Sequence, residues 1–217
     1  IVKVVVEDES RWRELGGVET RITAFFSDIA NFTTLSEMLS PQEVSQMLTD
    51  YLSPMTDIIL AHDGTRDKYI GDAIVAFFDA PLPTEGHELQ ACLASIEQQE
   101  RALELKKKWR EDGATWYAKL LAAGTDLTFR IGLNSGLAKV GNFGSLNSKN
   151  YTMIGDSVNL ASRLEGANKE YGTLIMASEA TVIACGGKIV TRELDRLVVK
   201  GRKEAVRVFD VIGRFAN

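Results

Sequence analysis

Two strand-like runs, residues 65–70 and 73–78, stand only two residues apart, at Gly71-Asp72. So short a link folds strands back as antiparallel neighbours, because a parallel return needs a crossover of about a dozen residues or more. This hairpin constrains everything around it. Residues 21–28 read as an earlier strand, rich in β-branched and aromatic side chains, with Ile22, Ala24, Phe26 and Asp28 on one face. Ser40-Pro41-Gln42-Glu43 then opens a helix with an N-cap, a proline at the first position and a capping-box glutamate. Val44, Met47, Leu48, Tyr51, Leu52 and Met55 follow at helical spacing to about Ala61, past a Pro54 that can kink the helix, before Asp63-Gly64 stops it.

Downstream, residues 85–110 read as a long helix with a basic C-terminal end, and the first part of 113–125 as its continuation. Residues 127–133 and 138–143 are expected to pair around a turn at Asn134-Ser135-Gly136. A helix over 155–168, ending near Gly166, a short strand at 174–176 and a short helix at 178–184 come next. A last hairpin joins 188–199 and 205–212 across Lys200-Gly201-Arg202-Lys203. Strands and helices intermix with hairpins, which predicts an α+β fold with a largely antiparallel sheet. Residues 1–17 read as a charged lead-in closed by Gly16-Gly17, and 18–217 as one domain.

The chain has 217 residues and 45% hydrophobic content, enough for a sizeable core. Its net charge of −5 argues against a dedicated binder of nucleic acid polymers. Cys92 and Cys185 have no companions at metal spacing and read as reduced thiols. No apolar run approaches the ~20 residues that span a bilayer, so no membrane contact is expected from this segment, and a cytoplasmic location is. The opening Ile1 leads to the expectation of a fragment, with sensor domains outside it.

Asp28 ends the first strand and Asp72 sits in the hairpin turn. In a ferredoxin-like order (strand, helix, strand, strand, helix, strand) these two elements can lie side by side. Paired carboxylates suit hard divalent cations. On spacing alone, a helix-capping Asp28 and a turn-filling Asp72 are the favoured reading, since strand-end and turn aspartates are common for local reasons.

Three motifs in order change the balance. Residues 25–33, Phe-Phe-Ser-Asp-Ile-Ala-Asn-Phe-Thr, and residues 68–73, Lys-Tyr-Ile-Gly-Asp-Ala, closely resemble the metal-binding motifs of class III adenylyl and guanylyl cyclases. Residues 151–164, Tyr-Thr-Met-Ile-Gly-Asp-Ser-Val-Asn-Leu-Ala-Ser-Arg-Leu, resemble the family's third signature. The likeness covers roughly residues 20–212 and is greatest to bacterial soluble-type enzymes, especially cyanobacterial ones. It implies a ferredoxin-like βαββαβ cyclase core with extra C-terminal strands, closing ATP into 3′,5′-cyclic AMP with two divalent cations, Mg or Mn. Asp28, Asp72 and the Ile29 carbonyl would hold the metals, which would activate the ribose 3′-hydroxyl and stabilise the departing pyrophosphate. The backbone of Asn31, Phe32 and Thr33 would meet phosphate oxygens. Asn159 and Arg163, four apart on one helix face, would orient the ribose and stabilise the α-phosphate. Lys200 would contact the β- and γ-phosphates.

The base-reading positions are Lys68 and Thr152. Many adenylyl cyclases carry Asp where Thr152 stands, but a hydroxyl can still accept a proton from the adenine amino group. The Lys/Thr pair resembles a bicarbonate-responsive subgroup, so bicarbonate or calcium regulation is an expectation. The resemblance also implies a homodimer with two shared active sites, Asp28 and Asp72 from one chain facing Lys68, Thr152, Asn159, Arg163 and Lys200 from the other. The alternatives are a guanylyl or mixed purine cyclase, and a non-catalytic pseudocyclase serving as a dimerisation or sensor module.

Overall fold

The computed structural model describes residues 15–145, 147–198 and 205–215. Its opening half runs β1 (Gly16–Ile29), α1 (Phe32–Glu37), α2 (Pro41–Ala61), β2 (Thr65–Ile70), β3 (Ala73–Phe78), α3 (His87–Glu111), α4 (Thr115–Ala122) and β4 (Phe129–Gly144). Then come β5 (Lys149–Ile154), α5 (Asp156–Tyr171), β6 (Ile175–Ser178), α6 (Glu179–Ala184), β7 (Ile189–Leu197) and β8 (Val206–Arg214). The sheet order is β2-β3-β1-β4-β6-β8-β7, with β5 paired to β4 off that path. Among the described residues only the β4–β6 pairing is parallel. The first four strands and their helices form the expected βαββαβ core, and β6 to β8 extend it.

Alternation along β1 and β3 divides the core between the two sheet faces. Phe25, Ile29, Ile74, Ala76 and Phe78 pack under α2 and α3 with Met47, Tyr51, Met55 and Ile59. Trp109, Trp116 and Tyr117 close that layer with edge-on ring contacts. On the other face Ile22, Ala24, Val75 and Phe77 meet Met153 of β5 and Val158 and Ala161 of α5. Each large apolar side chain so buried contributes roughly 1.5–3 kcal/mol. Helix α2 starts as expected. The Ser40 side chain accepts from the Glu43 amide, and Glu43 accepts from the Ser40 amide at 2.9 Å. Pro54 lies inside this helix.

Several expectations give way. Residues 127–143 are not a hairpin about Asn134-Ser135-Gly136. β4 runs straight through that triplet, in unbroken register with β1 from Gly16↔Asn142 to Ile29↔Phe129. Asn134 and Gly136 lie against the start of α5, while the Ser135 hydroxyl, on the other face, lies within hydrogen-bond distance of those of Thr23 and Thr181. The Asn134 amide donates to the Ser157 carbonyl at 2.8 Å, and a Cβ on Gly136 would meet Ser157 Oγ at 2.4 Å. The true hairpin partner of β4 is β5, which the sequence reading passed over as motif alone. Helix α5 continues through Gly166, whose missing Cβ faces open space, and stops at Gly172 in the left-handed region. Gly113, also left-handed, breaks α4 from α3. β1 begins at Gly16 rather than residue 21, because its first pairs continue along β4. β7 and β8 form the last hairpin, while its turn and residues 1–14 of the lead-in lie outside the described residues.

Candidate active site

β1 delivers Asp28 and Ile29 to the sheet's end, where the β2–β3 turn brings in Asp72. The Ile29 amide donates to Asp72 Oδ2 at 2.9 Å, and the Asp28 carboxyl lies within hydrogen-bonding reach of Asp72. Asp72 is buried, and Tyr51, stacked on Phe129 at 4.5 Å, lies within reach of its charge. Burial first, and then the neighbouring Asp28, push the Asp72 carboxyl up to about 8. The expected carboxylate pair is therefore assembled, and it is electrostatically frustrated. Two like charges share a low-dielectric corner that a divalent cation would neutralise, and this donor chemistry fits Mg or Mn. Among the described residues no group of three His, Cys, Asp or Glu side chains is arranged around a metal. Water or substrate oxygens would therefore have to complete the coordination.

Two charged residues here escaped the sequence reading. Arg130 faces Asp28 across the β1–β4 ladder, with Nη2 3.9 Å from Asp28 Oδ2. Its Nε lies 3.1 Å from Glu165 Oε1 of α5. Burial pushes Glu165 up to about 7, against the pull of Arg130. The available signal was the register itself: once residues 127–133 are set beside β1, Arg130 falls opposite Asp28.

After the strand, Asn31 takes a left-handed conformation (φ 59°) and turns the chain into α1 at Phe32 and Thr33. The expected phosphate-facing backbone thus lies two to four residues beyond Ile29. Asn159 and Arg163 lie on α5, one turn apart, on the helix that also carries Glu165.

Lys68 and Thr152, the pair expected to read the base, are also brought together, from separate strands and 84 positions apart in sequence. Lys68 Nζ donates to Thr152 Oγ1 at 3.2 Å. Thr152 Oγ1 in turn donates to Asp67 Oδ2, a short contact, and Asp67 Oδ1 lies 3.3 Å from Lys68 Nζ. Asp67 is a third residue missed from the sequence. Lys200 lies outside the described residues.

Residues 18–212 match the family model for the adenylate and guanylate cyclase catalytic domain. The chain belongs to this family. It is 36% identical to adenylate cyclase 1 of Rhizobium meliloti, over 93% of this chain and 28% of that protein. It is 34% identical to an adenylate cyclase of Anabaena cylindrica, over 91% and 38% respectively. The chain thus spans well under half the length of these relatives. Among solved structures, the adenylyl cyclase CyaB from P. aeruginosa superposes with a TM-score of 0.81 at 33% identity, covering 93% of this chain and 98% of that one. The guanylyl cyclase Cya2 does so at 0.76 and the same identity, covering 93% and 96%. Equal identity to both leaves nucleotide choice to the site residues.

No helix among the described residues is long and apolar enough to cross a membrane.

Proposed function

We propose that the chain is the catalytic domain of an adenylyl cyclase, converting ATP to 3′,5′-cyclic AMP and pyrophosphate. The observation that carries the choice of ATP is the Lys68–Thr152 contact, which sets an ammonium beside a hydroxyl oxygen. A donor beside an acceptor matches the ring nitrogen and amino group of adenine, and mismatches the N–H and carbonyl of guanine.

The ribose 3′-oxygen attacks the α-phosphorus and the 3′-oxygen–phosphorus bond forms. The bond from that phosphorus to the bridging oxygen breaks, pyrophosphate leaves, and the hydroxyl proton passes to solvent. Two divalent cations, held by Asp28, Asp72 and the Ile29 carbonyl, would supply Lewis-acid and charge-neutralising chemistry. Arg163 offers a planar fork of donors to the α-phosphate, and Asn159 holds the ribose. The backbone at Asn31, Phe32 and Thr33 meets phosphate oxygens, and Lys200 the β- and γ-phosphates. Each active site is shared by two copies of the chain in a C2 homodimer. Exposed apolar side chains, Tyr69 and Ile70 at the β2–β3 turn and Ile154 at the end of β5, are available for such a partner. Bicarbonate or calcium would act on this dimer.

The test is product formation from ATP or GTP, with Mg or Mn, beside Asp28→Ala. Cyclic AMP formation is expected, falling on the order of 10³-fold in the variant, as loss of several kcal/mol of transition-state stabilisation requires. Predominant cyclic GMP would overturn the base reading. No cyclic product from dimeric, metal-loaded protein would leave a pseudocyclase.

A further inference from the structure

We infer that Asp67 is a specificity-determining residue, which locks the Thr152 hydroxyl so that it can only accept a hydrogen bond from the base. This inference rests on the base-reading role proposed for Lys68 and Thr152.

The backbone sets the arrangement up. Successive strand residues face opposite ways, so Asp67 and Lys68 should diverge. The β2–β3 register breaks there: Arg66 pairs with Ala76 and Lys68 with Val75, and Asp67 has no partner. Such a bulge re-aims a side chain. It brings the Asp67 carboxylate and the Lys68 ammonium to the same Thr152 hydroxyl. The Asp67 side chain is 2% exposed, and Oδ1 has the Lys68 charge at 3.3 Å but no hydrogen bond. The group is therefore buried for the sake of these two neighbours.

Hydrogen counting gives the consequence. A threonine hydroxyl has one proton and two lone pairs. The proton goes to Asp67, and one lone pair accepts from Lys68. One lone pair is left, suited to a base that donates. Lys68 has three protons; one is directed at Thr152, and another can be turned to a ring nitrogen that accepts. The array therefore presents one donor and one acceptor, the complement of adenine. Without Asp67 the hydroxyl can rotate and donate to a 6-oxo group, and the discrimination at that position is lost.

The experiment compares kcat/KM for ATP, GTP and inosine triphosphate in the wild type, Asp67→Asn, Thr152→Val and the double variant, with Lys68→Glu as a control on the base reading. Asparagine can donate to Thr152 and free its proton. Asp67→Asn should therefore lower the ATP-to-inosine triphosphate ratio by about tenfold, the scale of one mispaired buried hydrogen bond. In the Thr152→Val background the same change should leave the ratio unaltered. Equal loss on all three nucleotides, or a ratio change that persists without the Thr152 hydroxyl, overturns the lock. If Lys68→Glu shifts preference while Asp67→Asn does not, the inference fails and the base reading survives. If neither shifts it, both fail. Should Asp67→Asn not fold, Asp67→Ser takes its place in the same cycle with the same outcomes expected, and turnover of inosine triphosphate by the wild type within a few-fold of ATP overturns the lock.

Discussion

The two ends of the β2–β3 hairpin handle charge in opposite ways. At the turn, Asp72 is pressed against Asp28 and pushed up to about 8. Five residues earlier, the Asp67 side chain is also buried but lies against Lys68, which answers its charge, and Thr152, which donates to Oδ2. The first cluster is unsatisfied by protein alone and is suited to a cation. The second has its charge answered within the chain and is suited to reading hydrogen bonds. A site of like charges gives up stability to bind, whereas one of paired charges gives up reach to discriminate.

Asp72→Asn breaks the contrast most sharply. It should lower cyclase activity on the order of 10³-fold. In chelator, however, its melting temperature should exceed that of the wild type, at about 2–4 °C per kcal/mol of relieved repulsion. The sign follows from linkage. A carboxylate raised in the fold favours its neutral form, so its stabilising effect is present at low pH and lost as pH rises from about 4 through about 8. Metal-free wild type should lose melting temperature across that range, and Mg or the Asn variant should flatten the curve. A melting temperature that falls in the variant would show that the pair is not frustrated.

The base-reading end should behave otherwise. Lys68→Glu combined with Thr152→Cys should move the ATP-to-GTP ratio of kcat/KM toward GTP by about 100-fold, with little change in melting temperature. Failure of the ratio to move would remove these residues from base reading. The smallest expected effect disturbs one end and spares the other. A Cβ on Gly132 would meet the Ala161 carbonyl and the Glu165 amide at 2.2 Å, so Gly132→Ala must lift α5 from the sheet. The cost should be about 1–3 kcal/mol. Activity should fall about tenfold with nucleotide preference unchanged, because α5 carries Asn159 and Arg163 but not Lys68 or Thr152.

The sequence made the hairpin legible because a two-residue link leaves little choice, and α2 because its capping box and apolar stripe agree. Asp28 and Asp72 were legible as residues, and their meeting followed from strand order. What stayed hidden depends on register. Asn134-Ser135-Gly136 carries turn chemistry, yet Asn134 and Gly136 answer the approach of Ser157 from α5, and Ser135 the hydroxyls of Thr23 and Thr181. Arg130 is a single charge in an otherwise apolar stretch and Glu165 one of several charges along its helix, with no period to mark either. Asp67 was hidden by the bulge, since simple alternation turns it away from Lys68. Cys92 and Cys185, 93 residues apart, meet at 3.7 Å between buried sulfurs, which no local pattern could disclose.

β2 is the terminal strand on its side of the sheet, and it carries Arg66, Asp67 and Lys68. Charges on a terminal strand deter other chains from adding to the ladder and so guard against aggregation. The residue proposed to choose the nucleotide therefore also helps keep the protein in solution. Exchanging Lys68 for an acid preserves that protection, whereas an apolar replacement there would not. A lineage could then move between purines by reversing a charge at this strand without passing through an insoluble intermediate.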